Sequence, residues 1–99
     1  MEEKETITKD KSWYVYMIEC RNETFYIGVS NDVVARIKKH DSGKGSKYVR
    51  KAGGVMRLVG AIRCGGKSQA CKEEYRIKQL SRNEKLDYFY KHKGEMGKF

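Results

Sequence analysis

The chain has 99 residues, 38% hydrophobic and 35% charged, with a formal net charge of +9. That suits one small domain with a modest core and a heavily charged surface. Its longest apolar run, Trp13 to Ile18, is six residues, far short of the roughly 20 a membrane helix needs, and no basic-then-apolar opening marks a secretory signal.

Residues 1–11 are polar and charge-rich, with Ile7 the only bulky apolar residue after Met1, and are expected to form a mobile tail. Trp13 to Cys20 is rich in β-branched and aromatic residues, which suit a strand. Arg21-Asn22-Glu23 reads as a turn and Thr24 to Ser30 as a second strand, so an antiparallel hairpin is predicted. Asn31 is the expected N-cap of a helix, with Asp32 favoured by the dipole and Val33, Val34 and Ile37 forming the apolar stripe. Asp41 to Ser46 ends that helix. A short helical turn over 47–51 and a Gly53-Gly54 break lead to a third strand, Val55 to Cys64, weakened at Gly60. Ser68 is the expected N-cap of a helix running to about Leu80. Ser81 or Asn83 caps a last short helix carrying Leu86, Tyr88 and Phe89, and residues 91–99, with Gly94 and Gly97, form a fraying end. The order β-β-α-β-α-α predicts an α/β fold. It is a small three-stranded antiparallel or mixed sheet flanked by helices, in one domain over residues 12–90.

The charge excess is concentrated. Residues 36–51 carry seven basic side chains against Asp41 alone. Such clustering points to a polyanion partner, nucleic acid before anything else. Within it, Gly43-Lys-Gly-Ser-Lys-Tyr48 offers backbone N–H groups and lysines to phosphates and a tyrosine to stack on a base. Lys39, Lys44, Lys47, Tyr48 and Arg50 are the candidate contacts. Cys20, Cys64 and Cys71 are odd in number and lack CxxC spacing, so they form no disulfide framework. With only His40 and His92 beside them, a structural zinc site is not expected either. Unpaired thiols favour a reducing compartment, taken as cytoplasmic.

Tyr14 and Tyr16 share one face of the first strand, and Tyr26 shares a face of the second with Gly28. Strand aromatics are most often core, but a glycine within a strand marks close approach of a backbone or ligand. Arg36 and His40, four apart, share a helix face at the margin of the apolar stripe. An arginine there can lie solvated along apolar surface, and a helix-end histidine is favoured by the dipole. Glu73 and Glu74 fall between Ala70, Cys71, Ile77 and Leu80 on the helical wheel. A carboxylate so placed is paired, here with Arg76 or Lys78, or holds a metal. Periodicity does not choose between the two.

Tyr14-Val-Tyr16, then Tyr26-Ile-Gly28 ten residues on, then Arg36 and His40, together resemble the GIY-YIG nuclease family. Tyr26-Ile27-Gly28 matches the second signature outright. In the first, Tyr14 replaces the initial glycine, as in the small single-domain bacterial branch. That branch is similar to the nuclease domain of the Slx-type structure-selective endonucleases. His40-x-x-Gly-Lys-Gly-Ser-Lys-Tyr48, Arg57-Leu-Val59 and Ile77 to Arg82 extend the match, which spans about residues 12 to 90. Gly54 stands where the branch usually has a proline. Ala70-x-x-x-Glu74-Tyr75 resembles the helix that carries the family's metal-binding glutamate, which selects Glu74.

The resemblance implies hydrolysis of DNA phosphodiesters with one divalent metal, Mg²⁺ or Mn²⁺. Tyr26 or Tyr16 would be the general base, with Tyr26 preferred. Arg36 would bind the scissile phosphate, and His40 would bridge tyrosine and phosphate or shuttle the proton. Glu74 would hold the metal. Lys44 to Arg50 would grip flanking phosphates, and Gly28 would let the DNA backbone come close. A structure-selective role on branched or flapped DNA in repair or recombination follows, with scope for a regulatory protein partner. The competing readings are a catalytically inactive nucleic-acid-binding module on the same fold and a small RNA-associated protein.

Overall fold

A computed structural model describes residues 12–92. The expected tail at 1–11, and all but the first two residues of the one expected at 91–99, lie outside the described residues. Strand β1 (Trp13–Cys20) lies at the centre of a three-stranded sheet, antiparallel to β2 (Phe25–Ser30) on one side and to β3 (Val55–Gly65) on the other. Helices α1 (Val33–Asp41) and α2 (Lys47–Lys51) connect β2 to β3. Helices α3 (Lys67–Lys78) and α4 (Arg82–Lys91) follow β3. The predicted element order and α/β class hold, and the sheet is antiparallel throughout.

The central strand explains its own sequence. A strand covered on both faces is mostly apolar, and β1 is so except at Glu19, which pairs with Arg57 at 2.8 Å. On one face Tyr16, Ile18 and Cys20 pack with Val33 of α1 and with Val49 and Ala52 around α2. On the other, Val15 and Met17 pack with Ile27, Ile77 of α3 and Phe89 of α4. Two small cores therefore sandwich the sheet. β3 is the irregular strand. Gly60 stands opposite Met17 and Leu58 opposite Ile18, so Val59 is an extra residue, as in a β-bulge. This falls beside the glycine expected to weaken the strand.

Three local expectations change. Asp32, not Asn31, caps α1, its carboxylate accepting from the Ala35 N–H at 3.1 Å. Val34 is largely exposed, so the stripe of α1 rests on Val33 and Ile37. α3 begins after Gly66 with no side-chain cap, so Ser68 lies inside the helix. Ser81 does cap α4, and Glu84 completes a reciprocal capping box.

Candidate active site

The β1–β2 register sets Tyr16 opposite Gly28, with Tyr26 two residues earlier on the same face of β2. Helix α1 packs on that face and supplies His40 from its last turn. Tyr16 Oη and His40 Nε2 form a buried hydrogen bond of 2.9 Å. The Tyr26 ring stands edge-on to His40, with centroids 5.2 Å apart, and 6.5 Å from the Tyr16 ring. Arg36 lies one turn before His40, and its charge acts on both His40 and Tyr16. From α3, the charge of Glu74 is also felt at Tyr16. Tyr16, Tyr26 and His40, from β1, β2 and α1, thus meet in one cluster, with Arg36 one helical turn away and Glu74 of α3 near enough for its charge to reach Tyr16.

Two glycines shape that place. A Cβ on Gly28 would stand 2.6 Å from Tyr16 Oη. The room expected there for a DNA backbone is taken by the Tyr16 phenol. A Cβ on Gly45 would stand 2.5 Å from His40 Nδ1, so this loop lies directly against the imidazole. Gly45 was not among the expected site residues. It belongs to a loop without periodicity, and only its repeat within Gly-Lys-Gly hinted at a close approach.

Burial sets the charge states. It pushes the Tyr16 hydroxyl well above its usual range, Tyr26 adds to the rise, and Arg36 opposes it. Burial pulls His40 below its usual range, and the Arg36 charge pulls the same way. Near neutral pH, Tyr16 is a protonated phenol and His40 a neutral imidazole. The helix-end reading of His40 gives way here, because the side chain is buried and desolvation disfavours its cation. His40 Nδ1 is buried without a hydrogen-bond partner among the described residues.

The two glutamates separate. Glu73 accepts hydrogen bonds from Tyr88 Oη and Arg76. Burial works against its charge, but these two bonds prevail and hold it below the usual carboxylate range. Glu74 pairs with Lys78, at 3.2 Å. No group of three or more His, Cys, Asp or Glu among the described residues is placed to hold a metal. One partly exposed carboxylate suits a hard cation that keeps most of its water, as Mg²⁺ does, and not a zinc ion seeking nitrogen and sulfur.

Lys39, Lys44, Lys47 and Arg50 are all exposed, at the end of α1, in the following loop and on α2. Ser46 caps α2 by accepting from the Tyr48 N–H at 3.1 Å. The Tyr48 ring reaches to 5.9 Å from Tyr26, so the structure joins it to the cluster.

Residues 12–87 match the model of the GIY-YIG catalytic domain. The chain belongs to the GIY-YIG nuclease family. A UPF0213 protein of Cupriavidus necator is 40% identical over 79 residues, covering 80% of this chain and 85% of that one. A UPF0213 protein of Oceanobacillus iheyensis is 43% identical over 77 residues, with 78% and 88% covered. The solution NMR structure of a UPF0213 protein from Bacillus halodurans aligns with a TM-score of 0.48 at 44% identity, covering 78% of this chain and 81% of its own. In this GIY-YIG chain, no helix among the described residues is long and apolar enough to cross a membrane. The three cysteines are free thiols.

Proposed function

We propose that this GIY-YIG protein is an endonuclease that hydrolyses DNA phosphodiesters with Mg²⁺ or Mn²⁺, selecting substrates by structure. The observation that carries the reading is the buried Tyr16–His40 pair set against Tyr26, with Arg36 and Glu74 at its margin. Hydrolysis needs a base for water and positive charge for the phosphate and the departing oxygen. Tyr26 is the base. It is only partly buried, whereas Tyr16 has no exposed surface and is tied to His40.

Both nitrogens of His40 are enclosed, Nε2 by Tyr16 and Nδ1 beneath Gly45. His40 is therefore a positioning residue for the tyrosines, and the bridge to phosphate falls to Arg36. Arg36 is exposed, and a guanidinium has more donors than its approach to Tyr16 can use, so it can reach a phosphate oxygen. Glu74 is the ligand for the divalent cation, which supplies charge neutralisation at the phosphate when bound. Lys39, Lys44, Lys47 and Arg50 hold flanking phosphates. Branched or flapped DNA, met during repair or recombination in a reducing compartment, is the substrate we assign.

The test is nicking of supercoiled plasmid and of a labelled branched DNA, with Mg²⁺ or with EDTA. Wild type cleaves only with the metal, and Arg36→Ala binds DNA but does not cleave. Salt-sensitive binding with no cleavage under any divalent metal would make the protein a binding module instead.

A further inference from the structure

We infer that a groove at the free edge of β2 holds one unstacked nucleobase of the strand being cut, so that the substrate carries an unpaired nucleotide beside the scissile phosphate. The inference rests on the nuclease reading for its place next to the cut, and on the groove itself for its ligand.

β2 is an edge strand, and its two faces point to different cores. Tyr26 belongs to the α1 side, Phe25 and Ile27 to the α3–α4 side. The groove wraps this edge. It is lined by Phe25, Tyr26, Ile27, Tyr48, Lys78 and Lys85, with a volume of about 290 Å³. That is at the lower bound of sites that enclose small molecules, about 300 Å³, and suits one base, not a duplex. Its aromatic wall is preformed. Tyr48 is 48% exposed, and its ring is tilted 32° from that of Tyr26. Phe25 is fixed from the other side by Arg82, 4.1 Å from the ring centroid. Two lysines and no acidic residue line it, which suits a polyanion. Lys85 is held by its bond to the Leu80 carbonyl at 2.6 Å. Lys78 is paired with Glu74 at 3.2 Å, so the groove opens beside the proposed cation ligand.

A base inside a duplex has both faces covered by its neighbours and none left for a protein ring. Extruding it costs pairing and stacking, least where the nucleotide is already unpaired. Stacking on tyrosine is indifferent to base identity. The groove therefore selects structure and not sequence.

Binding in EDTA tests this without cleavage. Anisotropy of a short labelled oligodeoxythymidine is compared with that of an equally long abasic strand, using the full chain, Tyr48→Ala and Tyr48→Phe. Removing the bases and removing the Tyr48 ring should each weaken binding about tenfold. Together they should weaken it no more than either alone, because they delete one shared contact. Tyr48→Phe should bind like wild type. Equal wild-type affinity for both strands, no binding of either, or a Tyr48→Ala loss of the same size on both would overturn the proposal. Thermal melting of Tyr48→Ala checks that the half-exposed site has not cost the fold. A failure to cleave plasmid overturns the nuclease reading and leaves this measurement standing.

Discussion

Each side of the sheet carries a tyrosine bonded to a titratable partner, and the two differ in how completely they are satisfied. On the α3–α4 side, Tyr88 and Arg76 both donate to Glu73, Arg76 lies 5.3 Å over the Tyr88 ring, and His92 packs on it at 4.3 Å. That set is closed and ties α3 to α4. On the α1 side, Tyr16 and His40 share one bond, His40 Nδ1 has none among the described residues, and Gly28 and Gly45 leave no room for a Cβ. Buried polar groups with unfilled bonding capacity cost stability. They are retained where a site needs them, so incompleteness points to chemistry and closure to architecture.

The comparison breaks or holds most visibly at the adjacent glutamates. Glu74→Ala should abolish metal-dependent nicking, at least about a hundredfold, since a metal ligand carries several kcal/mol of transition-state stabilisation. Glu73→Ala should still nick. It should lower unfolding stability by about 1 kcal/mol, because Tyr88 loses its acceptor. Equal loss of nicking in both variants would erase the distinction between the engaged glutamate and its neighbour.

A smaller effect is expected at the glycines. In Gly28→Ala the new methyl meets the Tyr16 phenol, which cannot retreat because it is fully buried and bonded to His40. In Gly45→Ala it meets both the imidazole and the His40 backbone nitrogen at 3.0 Å. Each should cost on the order of 1–3 kcal/mol in urea unfolding. Each should also reduce nicking by more than the unfolded fraction explains, because the Tyr16–His40 bond moves. Wild-type stability in both would mean that the cluster is looser than its packing shows.

Much of this was legible in the sequence. A strand period of two fixes Tyr16, Tyr26 and Gly28 to faces, and an interval of four puts Arg36 and His40 on one helix side. What was not legible depends on packing across the fold. His40 sits next to Lys38 and Lys39, so local composition reads as surface, and packing against Tyr16, Tyr26 and the Gly45 loop buries it. Gly45 touches His40 from a loop, where no period applies. Neighbours on a helical wheel differ by about 100°, and both glutamates fall within the same margin. The family resemblance chose Glu74. The structure adds why Glu73 is otherwise engaged, through a Tyr88 fifteen residues away. Helix starts were misplaced by one or two residues, since Asn31 and Asp32 are both competent caps.

The smallest effect is read by pH, and it separates the two sides by the window in which stability is lost. His40 is lowered by burial and by Arg36, and the groups facing it are Tyr16, Tyr26 and Arg36, none of them an acid that would favour its cation at neutral pH. The unfolded chain therefore binds this proton more readily. The contribution of neutral His40 is complete above about pH 6.5 and is lost as pH falls towards its lower folded value. Glu73 is also lowered, but from 4.5, so its contribution is lost only in the more acidic range below that value. Urea unfolding followed from neutral pH downward should show the His40 decline first. His40→Gln should flatten that first decline, and Glu73→Gln only the later one. At the alkaline end both Tyr16 and Tyr88 lie well above the usual tyrosine range. Burial leads in each, but Tyr88 is raised further by Glu73 and Tyr16 by Tyr26. In an ultraviolet titration, Glu73→Gln should therefore bring Tyr88 down and leave Tyr16 where it is. If both moved together, the two tyrosines would belong to one coupled network and not to two independent sides of the sheet.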